Sequence, residues 1–339
     1  MLLCRLSGST RLALASLAVL LVLPACGAAG RPRSGPLPSA QLTAAQARIA
    51  FGRFLPAFRS AQHSHDPQAE LDLVTGAEVP AVEQLPGQAL GPKVPALTSV
   101  KYYLPRLDGY PRWFIATGSA PAYGERFLFL LVQAAPQAGW REATELYELP
   151  GYPPVMPDLS GIAVDSHGYA SVAPASDASL VTAPNALSAG FARYYDAAVG
   201  QAASRGPAAY SDAIIAMERT AVRSAPRYGW RFTDELRPAS FPVYALRLAD
   251  GGAMVIFATR EAFGWQAISA RATLKAPRAA VGIGAAPDPY TIRLLRITSV
   301  RAGLRVMFDV IDEHLATDPA GQGIVADFFN GKITAITKS

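Results

Sequence analysis

The sequence predicts an α+β fold of two tandem units, each a helix followed by a curved antiparallel sheet. Three observations carry this. Helical periodicity precedes strand periodicity in both halves of the chain, the order of an α+β rather than an alternating α/β protein. The pairs Asp108-Gly109 and Asp250-Gly251 lie between apolar runs, as hairpin turns do. Two separate motifs also recur. "FGRFLPA" at 51–57 returns as "FARYYDA" at 191–197, and "RLDGYPRWFIAT" at 106–117 returns as "RLADGGAMVIFAT" at 247–259. Phe51 to Arg106 spans 55 positions and Phe191 to Arg247 spans 56, so both echoes agree on one offset. A chain of 339 residues that is 50% hydrophobic has the length and the core for two such units.

Residues 1–25 read as an export signal. Arg5 and Arg11 give a positive start, Leu12 to Leu23 an apolar run, and Ala25 a small residue before Cys26. The apolar run falls short of the about 20 residues that cross a bilayer. Leu23-Pro24-Ala25-Cys26 resembles the lipobox of bacterial lipoprotein signals, with Pro24 a less usual occupant of its position. The resemblance implies that Cys26 is acylated and becomes the first residue of the mature chain; an ordinary cleavage site or a retained anchor are the alternatives. With Cys4 lost and Cys26 acylated, no thiol remains for a disulfide, and the fold must stand on core packing. Two acyl chains would hold the protein to the membrane, facing outside the cell.

Residues 26–40 are a Gly/Pro/Ser tether without apolar periodicity. The first α+β unit occupies 41–149. Thr43 and Gln46 open its helix as a capping box, Ala47, Phe51, Phe54, Leu55 and Phe58 form the buried stripe, and Pro56 is expected to kink or shorten it. "RFLFLLVQAAPQAGWREATELYEL" then supplies two strands. A Pro-rich connector covers 150–184, with a short hairpin across Asp165-Ser166-His167-Gly168. The second unit occupies 185–339. Leu187, Phe191, Tyr194 and Ala198 stripe its first helix, and Tyr210, Ile214, Met217 and Ala221 its second. Leu304, Val306, Phe308 and Val310 alternate as a half-buried strand, and Asn330-Gly331 reads as a closing hairpin. A helix across a curved sheet resembles the cone of NTF2-like or cystatin-like domains, an analogy of fold that implies no function.

The lipobox, "YYLPRLDGYPRWFIA" at 102–116, "PDLSGIAVDSHGYASVAP" at 157–174 and the closing Asn-Gly pair together resemble a family of uncharacterised lipoproteins of high-GC Gram-positive bacteria that carry a domain of unknown function. The resemblance covers most of the mature chain and implies no activity and no site residue.

Chemistry is sparse in the sequence. There is no G-x-S-x-G elbow, no phosphate-binding loop and no H-E-x-x-H. His63, His65 and Asp66 are the best metal-ligand types in one stretch, but a polar loop uses the same residues and a further element would have to complete the shell. Asp165, Ser166 and His167 are adjacent residues of a turn and not a triad. Arg106 and Arg247 recur in both units, which suggests a shared structural pairing such as capping a helix end or bridging to a carboxylate, with an anion-binding role for one of them as the alternative. No cofactor motif is present. The formal charge of +5 comes without a basic cluster, which argues against nucleic acid as a partner. The expected function is a non-enzymatic envelope lipoprotein that binds an envelope protein or a small ligand. The alternative is a pocket enzyme of NTF2-like type with a buried carboxylate as base. A solute receptor of alternating β and α units does not match this order of elements.

Overall fold

Phe51, Phe54 and Phe58 recur at helical spacing because they face one sheet, and the residues that receive them alternate along its strands. In the computed structural model, which describes residues 41–84, 94–120, 124–148, 156–200, 209–273, 295–321 and 326–339, helix α1 runs Ala44–Ser64. Side chains are described throughout these ranges except at 196–200, 209–214, 326, 327 and 329. All described residues belong to one unit, Ser39–Ser339. Thr43 caps α1 through the expected reciprocal bonds with Gln46. Pro56 does not end the helix. It is exposed, as is Gly52 one turn earlier, so the carbonyl that loses its amide partner faces water.

Short helices α2 (Pro67–Leu71) and α3 (Val79–Gln84) precede strands β1 (Thr98–Pro105), β2 (Arg112–Ala120), β3 (Glu125–Gln133) and β4 (Arg141–Tyr147). These form an antiparallel meander joined by the predicted Asp108-Gly109 turn, and strand β5 (Tyr169–Ala170) adds to β1 in parallel. Helices α4 (Leu187–Gly200) and α5 (Ala209–Ser224) then lead to β6 (Trp230–Pro238), β7 (Tyr244–Arg247), β8 (Ala253–Ala267), β9 (Arg305–Asp318) and β10 (Ala326–Lys338). The second sheet is ordered β10-β9-β8-β6, with β7 pairing the first half of β8. The fold is thus mixed α+β with two sheets.

Strand alternation decides the layers. On β3, Phe127, Phe129 and Leu131 face α1, and Leu128, Leu130 and Val132 face the second sheet. On β8, Met254 and Ile256 meet that same inner core, and Val255 and Phe257 point out toward Phe191 and Tyr195 of α4. Trp113 and Tyr244 meet edge to face across the interface, ring centres 5.3 Å apart. The order of layers is helix, sheet, sheet, helix.

Two expectations are corrected. Asn330-Gly331 is not a hairpin: β10 passes straight through it, Asn330 opposite Glu313 and Gly331 opposite Asp312. Neither residue takes the positive φ that such a turn needs. The Asn330 amide instead accepts from Tyr147 N at 2.8 Å, joining β10 to β4. On α5 the buried row is Ile215, Glu218 and Ala221, and Met217 is only half-buried. The side chains of Ala198, Tyr210 and Ile214 lie outside those described, as do Cys26 and the tether.

The shared inner core makes a direct expectation. Ile256→Ala should lower unfolding free energy by about 2–5 kcal/mol, read by urea titration of the full chain in detergent. The chain should still unfold in one transition; two separated transitions would contradict a core common to both sheets. Gly264→Ala should cost about 3 kcal/mol or more, because a Cβ there would meet Val306 O at 2.2 Å.

Candidate functional site

Most charged side chains of a small protein sit in water, so acids inside these layers are the chemistry to explain. They form two clusters. The first lies where β4 meets the 3-10 turn Gly76–Glu78 and the inner face of β9 and β10. Lys332 Nζ stands 2.8 Å from Glu78 Oε1 and 3.4 Å from Glu145 Oε2, and all three side chains are buried. The backbone N–H of Glu145 donates to Glu78 Oε1 at 3.2 Å and Glu313 Oε2 at 3.3 Å. Glu142 completes the group, held by backbone bonds of 2.7 Å to Leu73 and Thr75. Burial, then Glu78 and Glu145, push the Glu142 carboxyl well above its usual range. Burial and Glu78 do the same to Glu313. Glu145 rises to about 7, burial again leading and Lys332 pulling against it. Burial alone would lower Lys332, but four surrounding carboxylates hold its ammonium well above the usual lysine value. This is a buried ion network that ties the edges of the two sheets together.

The second cluster lies on the other face of the second sheet, beneath α4 and α5, and each acid interrupts a buried row. On β6 the row is Trp230, Phe232, Asp234, Leu236; on β8 it is Phe257, Thr259, Glu261, Phe263; on β9 it is Phe308, Val310, Asp312, His314. Cross-strand register puts Asp234 opposite Phe263, Glu261 opposite Val310 and Asp312 opposite Thr259, so the acids step diagonally across the sheet. Glu218 descends from α5, and Tyr195 from α4 donates to Asp234 Oδ2 at 3.0 Å. Ligand oxygens of Glu218, Asp234 and Glu261 all lie within 4.8 Å of one another. Burial, then Asp234, push Glu218 up to about 10. Glu261 is raised well above its usual range by burial and then by Asp312, Asp234 and Glu218. Beside the acids, Thr259 Oγ1 meets His314 Nε2 at 2.8 Å, and the His314 ring stacks on Phe257 at 4.6 Å.

The residues singled out from sequence lie elsewhere. Arg106 pairs with Asp165 at 2.5 Å and lies over the Tyr169 ring. Arg247 pairs with Asp177 and reaches Ser179 Oγ at 3.1 Å. Each guanidinium therefore binds a carboxylate of the connector. That connector contains the expected turn: Asp165 Oδ1 accepts from His167 N at 2.8 Å and Tyr169 N at 3.0 Å. It also pairs with β7 through Val172 opposite Leu246, and with the residue after that strand through Ile162 opposite Leu248. His63 Nδ1 lies 2.7 Å from Arg59 O, His65 caps α1 in the left-handed conformation, and Asp66 caps α2. These three do not gather into a ligand set; among the described residues the group with ligand geometry is Glu218, Asp234 and Glu261. One sequence signal pointed there. Leu304, Val306, Phe308 and Val310 extend in phase to Asp312, an acid in a buried position.

These features define a two-sheet α+β protein with two clusters of acids buried against its sheets, and among the described residues no helix is long and apolar enough to cross a membrane. The chain belongs to the family described as a domain of unknown function, DUF8094, which matches residues 39–338. It is similar to an uncharacterised lipoprotein of Streptomyces coelicolor, 29% identical over 238 residues, covering 66% of this chain and 68% of the relative. It is also similar to an uncharacterised lipoprotein of Streptomyces avermitilis, 25% identical over 315 residues, covering 89% of this chain and 86% of the relative. No solved structure matches the chain.

The ion network sets a pH dependence. Glu142, Glu145 and Glu313 have folded values above their unfolded ones, so the stability of their protonated forms is complete below the usual glutamate range and is lost as pH rises through the folded values. Asp165 and Asp177, lowered chiefly by hydrogen bonds from Tyr169 N and the Ser179 side chain, oppose this only in more acidic solution. In chelated buffer the full chain should therefore melt at a lower temperature at about pH 8 than at about pH 5, and Glu145→Gln should flatten the difference. A midpoint that rises across that interval would contradict the arrangement.

Proposed function

We propose that this protein is a membrane-anchored, extracytoplasmic lipoprotein of the cell envelope that works by binding and not by catalysis. The observation that carries the reading is the separation of its chemistry from its accessible surface. The described grooves open on the exterior. One of about 220 Å³ is lined by Lys101, Tyr103, Arg126 and Asp158, and another of about 470 Å³ lies beside Ile49 and Trp140. Neither contains an acid of the buried clusters, so a substrate held in them meets no carboxylate of raised pKa; the acid in the smaller groove, Asp158, is held below its usual range by hydrogen bonds from Ser160 and so is a poor general base. A pocket enzyme has suitable acids here, Glu218 above all, but the described grooves do not reach them.

The anchor is supported by the lipobox-like Leu23-Pro24-Ala25-Cys26 and by relatives whose names call them lipoproteins. The Gly/Pro/Ser stretch after Cys26 would set the folded body a short distance from the bilayer, and two acyl chains suffice for stable attachment.

Two measurements test the reading. Cys26→Ser should shift the protein from the membrane fraction to the soluble fraction or leave it as unprocessed precursor; unchanged membrane association would refute lipid anchoring at that residue. The full chain in detergent should show a concentration-dependent rise in melting temperature with one class among lipids, cell-wall fragments and small metabolites, or a defined crosslinked envelope partner. Turnover of a substrate that a Glu218→Gln variant loses would favour the enzyme reading instead.

A further inference from the structure

The cluster beneath α4 and α5 differs from the ion network in what balances it. Lys332 stands among the acids of the network. In the second cluster Glu218, Asp234 and Glu261 bring carboxylate oxygens within 4.8 Å of one another. Repulsion among acids that close, under helices and away from bulk water, needs a counter-charge or bound protons.

Glu218 shows what the group lacks. It is 1% exposed, and neither of its carboxylate oxygens has a well-aligned hydrogen bond, although Tyr195 and Asp234 stand close beside it. The neighbouring Tyr195 hydroxyl has one proton, and its geometry directs it to Asp234 Oδ2. A buried carboxylate with no well-aligned donor to either oxygen, turned toward two other acids, has the surroundings of a ligand without its metal. One oxygen from each of the three acids lies within 4.8 Å of the other two. Oxygens on one calcium ion, at about 2.4 Å each, stand up to about 4.8 Å apart, so side-chain adjustments of a few tenths of an ångström bring all three onto one ion. The donors are all oxygens, which favours hard divalent ions over thiophilic ones. Asp234 is only half-buried, which leaves a side from which an ion enters and keeps water ligands.

The geometry points to a hard divalent-cation site of the calcium class, held by Glu218, Asp234 and Glu261, with Asp312 adjacent. Tyr195 positions Asp234 without being a ligand. An ion here would fasten α5 to β6 and β8, making the packing of the helical layer on the second sheet depend on the cation. The inference stands apart from the lipid anchor and from the binding reading above.

The test uses the full chain in detergent, stripped with chelator. CaCl2, MgCl2 and MnCl2 at about 10 mM are each added, and at least one is expected to raise the melting temperature by about 4 °C. Terbium, as a calcium-like probe, should emit when excited through Tyr195. Glu218→Gln imitates the protonated acid, so it should keep the melting temperature of the stripped protein yet lose both the cation shift and the terbium signal. Asp234→Asn, at a half-buried position, should lose them too and serves if the first variant fails to fold. Glu142→Gln, in the other cluster, should keep them. No shift with any of the three ions, or a shift that Glu218→Gln and Asp234→Asn both retain, would overturn the site.

Discussion

The first sheet and the part of the second that faces it are covered on both faces, while β6 and the start of β9 keep one face in water, and the rest of the structure follows from that burial. A sheet with one face in water alternates apolar and polar residues; a sheet between two layers must be apolar on each side. Hence β2, β3 and β8 read as nearly continuous hydrophobic runs, with one parity of side chains meeting a helix and the other meeting the opposite sheet. Removing that much apolar surface from water is the main source of stability for described layers that hold no cysteine to cross-link them.

Stacking leaves the edges of the sheets to be fastened, and the two sides use different chemistry. Beside β1 and β7 the connector is the clamp. Its backbone pairs with both strands, and Arg106 and Arg247 each bind one of its carboxylates, Asp165 and Asp177. The recurrence of these arginines in sequence thus corresponds to matching attachments of one segment. Beside β4 and β10 the clamp is polar and interior: the Asn330 amide takes the place of a neighbouring strand for Tyr147, and Lys332 gathers glutamates from β4 and the 3-10 turn.

The same burial separates the two acid clusters in character. In one, a lysine stands at the centre and the carboxylates divide its charge. In the other, acids from four elements converge with a tyrosine beside them, and Glu218 receives no well-aligned hydrogen bond. Buried acids with different neighbours give a structural weld in the first case and, by the inference above, a cation site in the second.

The sequence by itself determined the α+β class, the capping of α1 by Thr43 and Gln46, the turns at Asp108-Gly109, Asp165–Gly168 and Asp250-Gly251, and the buried rows of α1 and β9. These are properties of neighbouring residues: helical or alternating spacing, a cap, a residue suited to a turn. The tertiary structure alone decided that the sheets stack, that Asn330-Gly331 runs through a strand, and that Glu142, Glu145, Glu218, Glu261 and Glu313 are interior. A glutamate in a helix or a strand reads as solvent-facing because isolated charges avoid the core, and only the partners that surround it in space can reverse that. Those partners come from positions as far apart as Glu78 and Lys332, a distance over which no local pattern carries information.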